Sequence, residues 1–369
     1  MPVTLTEVQR IPTSGARAAE PVPVAGLDLL AVAQLARDAP DGPPGMNGGD
    51  SDTDLLLLRR HEGQYVPWRA LPAPGGEDAE FFTIGERSFL AVASIRTGAG
   101  PYNFEATSRI FEWRGGRFVP FQDVPTFAAK QFKHWEVDGR HFLGLAQGVA
   151  APGMQGSRDS AVYEWTGESF AEFQRIPSRW AYNWHAFPAG AEFFVAHAEH
   201  AGPSVLYRWD GVRLQPHQTL AEESGRAFAA FQDDAVTYLV VACIAAPSRV
   251  LRLEDGHFTE AQVLDGLGAR EVKVARCGGR TLVIRVNFIL GTPEDPQPVL
   301  DSQVYEWDGG KLHEVATFAT CGGTDAAIIT CEDGDAVELI VTNSLTPELR
   351  FAAHTVRYEL RHELDAGAR

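Results

Sequence analysis

Residues 109–125 read Arg-Ile-Phe-Glu-Trp-Arg-Gly-Gly-Arg-Phe-Val-Pro-Phe-Gln-Asp-Val-Pro. Two short alternating runs flank a Gly-Gly turn, which is a strong hairpin signal. The second run closes on Phe121-Gln122-Asp123-Val124-Pro125, and this ending recurs along the chain. It appears as Val8-Gln9-Arg10-Ile11-Pro12, Trp68-Arg69-Ala70-Leu71-Pro72 and Phe173-Gln174-Arg175-Ile176-Pro177. Weaker copies end at Ala221, Asp265 and Ala319, so the spacings are 60, 53, 52, 44, 44 and 54 residues. Repeats of this size mean stacked supersecondary units.

Each unit reads as four strands. In the third, strand a covers Phe132–Val137, strand b His141–Gln147, strand c Ala161–Trp165 and strand d Phe170–Ile176. Strand b recurs as Leu30-Ala31-Val32-Ala33, Leu90-Ala91-Val92-Ala93 and Leu143-Gly144-Leu145-Ala146, a composition suited to a strand covered on both faces. Strand c recurs as Phe111-Glu112-Trp113, Tyr163-Glu164-Trp165, Tyr207-Arg208-Trp209 and Tyr305-Glu306-Trp307, with aromatics to fill widening gaps between radial sheets. The seventh unit ends near Tyr358-Glu359-Leu360 without a good strand d, whereas Thr4–Ile11 is a strand d with no unit before it. Joining the two removes open edges. The expected fold is therefore all-β: a seven-bladed β-propeller of four-stranded blades, one domain over 1–369, with a flexible tail at 362–369.

The chain has 369 residues and a net charge of −17, which argues against nucleic acid or an anionic membrane as partner. Its four cysteines show no CxxC spacing, so neither a zinc site nor a disulfide framework is expected. The N-terminus has no basic stretch leading into an apolar run, and no apolar run approaches the roughly 18 residues that suggest a span. The expected setting is cytoplasmic, and abundant Ala, Gly, Arg and Asp with few Lys hints at a GC-rich bacterial genome.

The unit "FLAVA … YEW-x-GG-x-FVPFQ-x-VPT" resembles the EAR repeat, also called the EPTP or epitempin repeat, over nearly the whole chain. The resemblance implies a seven-bladed propeller used for protein–protein recognition, known from secreted and cell-surface animal proteins. It also implies a calcium ion in the central channel, held by acids just before strand a. That column reads Ala18, Asp78, Gln131, Asn183, Ala227, Glu271 and Asp325, so three acids match: Asp78, Glu271 and Asp325.

Long b–c loops on units one, two, three and six, beside short ones on units four and five, imply a walled cleft over the channel. Tyr102 and Asn103 lie in the second of these loops. Asp50, Asp52 and Asp54 alternate in the first, but the expected glycine and glutamate of a calcium loop are missing. In unit four, strand a opens Tyr182-Asn183-Trp184-His185, and His197 stands where sibling strands carry small residues. Lys130, Arg226 and Arg270 share one column and would face the acids. The ends of strand b offer Gln34, Ser94, Gln147, Asn287 and Asn343. No phosphate loop, Ser-His-Asp elbow or HExxH helix appears.

The leading expectation is a binding protein that recognises a partner protein or polar small ligand on the loop-bearing face. Tyr102, Asn103, Gln131, Asn183, Trp184, Arg226, Arg270, Asn287 and Asn343 are its candidate contacts, and no cofactor is required apart from the implied calcium. The competing reading is a cofactor-independent lyase, isomerase or cyclase of bacterial secondary metabolism, with His185, His197 and Lys130 as catalytic candidates. A single polar pocket holding these three with Asp78 would favour the enzyme.

Overall fold

A computed structural model describes residues 3–150, 158–292, 295–331 and 334–362. The expected tail falls almost wholly outside these residues. The described residues form no helix; they build seven antiparallel four-stranded sheets. A two-stranded ribbon, Leu290–Gly291 with Pro296–Gln297, decorates the sixth b–c loop.

The strands a are Ala16–Val24, Gly76–Ile84, Gln131–Val137, Ala181–Ala189, Gly225–Asp233, Ala269–Cys277 and Gly323–Thr330. Each touches the strand a of the blades on either side, so together they wall a central channel. Ring closure follows the expected route. Val3–Ser14 pairs antiparallel with Ala352–His362, putting Thr4 opposite Arg361 and Ile11 opposite Thr355. Every sheet is thereby complete and the ring has no open edge toward a neighbour.

The recurring glutamine has a physical task. Gln122 Nε2 donates to Phe170 O at 2.8 Å while its Oε1 accepts from Phe170 N–H at 2.9 Å, tying strand d of one blade to strand d of the next. Gln174 clasps Leu214 in the same way. Gln9 clasps Tyr65 and so bridges the closure between blades seven and one. A neutral amide satisfying both groups of one peptide unit suits this half-buried seam, where an unpaired peptide would be costly.

Core clusters lie between blades rather than within one, as flat sheets with buried faces require. Fit is tight where blades three and four meet. A Cβ on Gly144 would come within 2.7 Å of the Trp135 ring and 3.2 Å of Trp184.

Candidate functional site

Strand a begins with a β-bulge in six of the seven blades, for example between Gly76 and Asp78 and between Ala269 and Glu271. A bulge breaks strict alternation and turns two successive side chains toward one side. The channel therefore receives an extra layer. The acidic column was expected just before strand a. Apart from Gln131, which opens its strand, it lies inside strand a, and the residues before it form the first ring.

That ring is Arg17, Glu77, Lys130, Tyr182, Arg226, Arg270 and Thr324, all buried. Glu77 sits among cations: Lys130 Nζ at 3.1 Å, Arg270 Nη2 at 3.5 Å from across the channel and Arg17 Nε at 3.8 Å. Burial alone would raise its carboxyl pKa, but these three charges hold it down at about 2. Tyr182 presents its ring face to Arg226 at 3.7 Å, Arg270 at 4.6 Å and Lys130 at 5.2 Å. Burial would raise the phenol, yet Arg226, Lys130 and Arg270 together bring it below its ordinary value.

Below this collar, side chains take over backbone bonding between blades. Phe132 N–H donates to Asp78 at 3.1 Å, Ala19 N–H to Asp325 at 3.1 Å and Trp184 N–H to Gln131 at 2.6 Å. One level further, Phe81 N–H donates to Glu20, His134 N–H to Glu80 and Ala230 N–H to His185 Nε2 at 3.0 Å. Lys133 pairs with Glu80 at 2.9 Å and Lys273 with Asp325 at 3.1 Å. Asn183 Nδ2 reaches across to Glu271 at 2.8 Å. Burial, and then neighbouring carboxylates, raise Glu20 and Asp78 well above the ordinary acid range and raise Glu271 as well.

A cavity of about 620 Å³ occupies the channel at these lower levels, lined by Glu20, Gln131, Lys133, Asn183, His185, Glu271 and Lys273 and extending to Pro23. No collar residue lines it. The expected cleft on the loop-bearing face is corrected accordingly. The collar plugs that end, and the loops pack above it around Leu35, Ile95, Phe127, Leu345 and Phe351. Long loops here make a roof, because their apolar residues bury against one another instead of standing as walls.

The catalytic candidates do not converge. Lys130 is spent on Glu77 in the collar. His185 lies in the channel wall as an acceptor for Ala230. His197 faces the seam between blades three and four, 3.1 Å from Ser160 Oγ and 4.2 Å from the Trp184 ring. Burial lowers both histidines to about 3, with Lys133 and Lys273 adding to it at His185, so both are neutral imidazoles. Trp184 is a core side chain beside Trp135 and not a loop-face contact.

Two further ligand candidates are corrected. Asn287 Nδ2 donates to Asp301 O at 2.7 Å, and Asn343 holds His354 O and Cys321 N–H. The Asn343 amide is thus occupied by strand backbone on both sides and Asn287 Nδ2 by strand backbone too, while Asn287 Oδ1 is buried without a partner among the described residues. Tyr102 and Asn103 do lie on the loop face. Tyr102 OH donates to Gly49 O at 2.7 Å and its ring underlies Arg96 at 3.6 Å, while Asn103 Oδ1 accepts from Glu105 N–H at 3.0 Å. Asp50 pairs with Arg37, and Asp52 accepts from Gly98 N–H.

The implied calcium ligands are spread over blades two, six and seven, and Lys273 stands 3.1 Å from Asp325 and 3.9 Å from Glu271. Among the described residues, no three His, Cys, Asp or Glu side chains are grouped to hold a metal ion. The Lys273 ammonium stands between Asp325 and Glu271, where a divalent ion would have to sit, so this donor set does not fit calcium.

The EPTP domain family model matches residues 117–166 and 169–210. Each matched stretch starts at strand d of one blade and runs through strand c of the next, so the repeat unit straddles the clasped seam. A human thrombospondin-type laminin G domain and EAR repeat-containing protein is 31% identical over 150 residues, 38% of this chain and 22% of that protein. Its mouse counterpart is 30% identical over 170 residues, 43% of this chain and 25% of that protein. Leucine-rich repeat LGI family member 3 of Macaca fascicularis is 20% identical over 278 residues, 71% of this chain and 45% of that protein. The matched portion is thus about a quarter of the length of the first two relatives. These relatives are animal proteins, and the bacterial secondary-metabolism setting finds no support among them.

Proposed function

We propose that this chain, which belongs to the EAR (EPTP) repeat family, is a binding protein that presents its loop-bearing face to a partner protein. The observation that carries this reading is the bracing of that face. Arg96 spans from blade two into the first loop and donates to Ser51 Oγ at 2.9 Å, Asn47 O at 2.8 Å and Gly48 O at 2.7 Å. Gly75, at φ +56°, permits the approach, since a Cβ there would meet Arg96 O at 2.1 Å. Tyr102 adds its bond to Gly49. Loops fixed before binding reduce the ordering cost of association. The enzyme reading lacks its own premise, because His185, His197 and Lys130 occupy three separate environments, with Nε2 of each histidine and the Lys130 ammonium engaged.

The test compares two single variants in binding to a partner captured on the intact chain. Arg96→Ala cuts the brace and is expected to weaken binding by roughly tenfold or more, the order for a residue that organises an interface. Arg117→Ala, an exposed residue after the Gly115-Gly116 turn on the opposite face, is expected to leave binding unchanged. Equal binding by both variants overturns the loop-face reading.

A further inference from the structure

The collar carries more positive charge than its own residues can balance. Arg17, Lys130, Arg226 and Arg270 contribute four cations, and Glu77 is the sole carboxylate among the seven ring residues. All lie within one layer, with Glu77 4% and Arg226 6% exposed. A guanidinium does not discharge by losing its proton in a protein, so its charge must be met by another charge or by hydrogen-bond acceptors.

Among the described residues Arg226 has neither an ion pair nor a hydrogen bond, and Glu77 acts on it only from beyond ion-pair distance. Its Nε and Nη1 are buried without a hydrogen-bond partner, as is Arg17 Nε. Arg226 stacks on Tyr182, and a ring face attracts the flat cation but does not accept its in-plane N–H groups. Directly beside them, Trp180 Nε1 and His200 Nδ1 are also buried and unpartnered. Trp180 stacks on Tyr182 and meets His200 edge-on, so these groups belong to the same enclosure. Even an ionised Tyr182 would leave two of the four cations unmatched.

We propose that the collar binds a small monovalent inorganic anion of halide size, seated against Arg226 beneath the loop roof. The enclosure decides the size. The channel cavity does not reach the collar, and the apolar loop cluster with Trp180 closes it from above. A monatomic anion accepts N–H groups from several directions and needs no shaped cavity, unlike a carboxylated metabolite. Chloride is the ion that meets this description in ordinary solution.

The melting temperature of the intact chain, titrated with chloride or bromide against gluconate at constant ionic strength, reads the linkage. A ligand that binds only the folded state raises it saturably. The expected rise is roughly 2–4 °C, of the order that a 1 kcal/mol effect has in a large domain. Arg226→Gln is expected to lose that rise and to be no less stable than the parent in gluconate, because it relieves repulsion. Crystals grown in bromide are expected to show an anomalous peak in hydrogen-bond contact with Arg226. Equal melting in halide and gluconate with no such peak overturns the proposal. So does a non-saturating rise shared by Arg226→Gln, which is general screening. Should the variant not fold, the parent titration and the bromide peak decide.

Discussion

Two layers of the same seven strands solve opposite electrostatic problems. The collar holds four cations and one carboxylate, Glu77, whereas the levels below hold five carboxyl groups, Asp78, Glu271, Asp325, Glu20 and Glu80, with two ammonium groups, Lys133 and Lys273. Counted formally, one layer carries three excess positive charges and the other three excess negative ones. The difference is that the lower layer can adjust itself. A buried carboxyl takes up a proton, and Glu20, Asp78 and Glu271 are all shifted in that direction. Guanidinium groups have no such recourse. Glu20 and Glu271 also line the cavity, while the collar residues are buried away from it.

The sharpest way to break this contrast is to remove the one group on which the collar depends. Glu77→Gln leaves Lys130, Arg17 and Arg270 buried without their carboxylate. Breaking one side of a buried ion cluster costs about 3–5 kcal/mol. Urea unfolding should register that loss, and a cost under about 1 kcal/mol would mean that the collar is not held by this charge.

The pH dependence of stability sharpens the contrast. Glu77 has its folded pKa depressed from 4.5 to about 2, so its contribution is complete above 4.5 and is lost as pH falls through about 2. The shift corresponds to about 3 kcal/mol at a site this buried. Glu20, Asp78 and Glu271 act with the reverse sign. Their folded pKa values are raised, so the folded chain binds protons more tightly and gains stability as pH falls from neutrality toward 4.5. The buried imidazoles oppose this gain: His134, His185 and His197 are lowered to about 3 and His200 to about 4, so below about pH 6.5 the unfolded chain takes up protons there that the folded chain does not. The acids are therefore read by difference: the stability of Glu20→Gln relative to the parent should be greater at pH 7 than at pH 4.5, and an advantage that does not shrink on acidification in urea unfolding would contradict the assignment of protons to the lower layer.

Much of the architecture was legible because the repeat fixes it. Thr4–Ile11 lacked a sheet and the seventh unit lacked a strand, so their pairing could be deduced before any contact was seen. The glutamine in Phe121-Gln122 and Phe173-Gln174 marked the repeat. Its clasp, however, depends on geometry, and Gln218 and Gln262 make it to Phe258 and Leu312 in units whose motif had faded. The site was less legible. Lys130, Arg226 and Arg270 could be aligned, but Arg17, Glu77 and Tyr182 were not recognised as sharing their ring. The obstacle was the bulge, since period-two alternation sends a residue before the acidic column away from the channel. Charge recurring one position ahead of that column, at Arg17, Glu77, Lys130, Arg226 and Arg270, was the available signal. Loop length could not distinguish a wall from a roof, because that depends on whether residues such as Phe127 and Phe351 pack together.

The smallest expected effect is the most discriminating. Lys273→Met removes one of the two ammonium groups from the lower layer and leaves Asp325 and Glu271 without it. Because about a third of this lysine side chain is exposed, at 36%, water screens the loss. Exposed and half-exposed pairs contribute at most about 1 kcal/mol. Glu271 can also respond by protonating, a direction in which burial already pushes it. The cost of Lys273→Met should therefore be about 1 kcal/mol at pH 7 and should shrink toward zero near pH 5, where the carboxyl takes the proton more readily. Glu77→Gln should show no such relief on acidification, because the cations around it stay charged throughout that range. Urea unfolding of both variants at pH 7 and pH 5 separates the two layers directly. If Lys273→Met is as damaging as Glu77→Gln and equally indifferent to pH, the lower layer does not buffer itself with protons, and both layers depend on fixed charge alike.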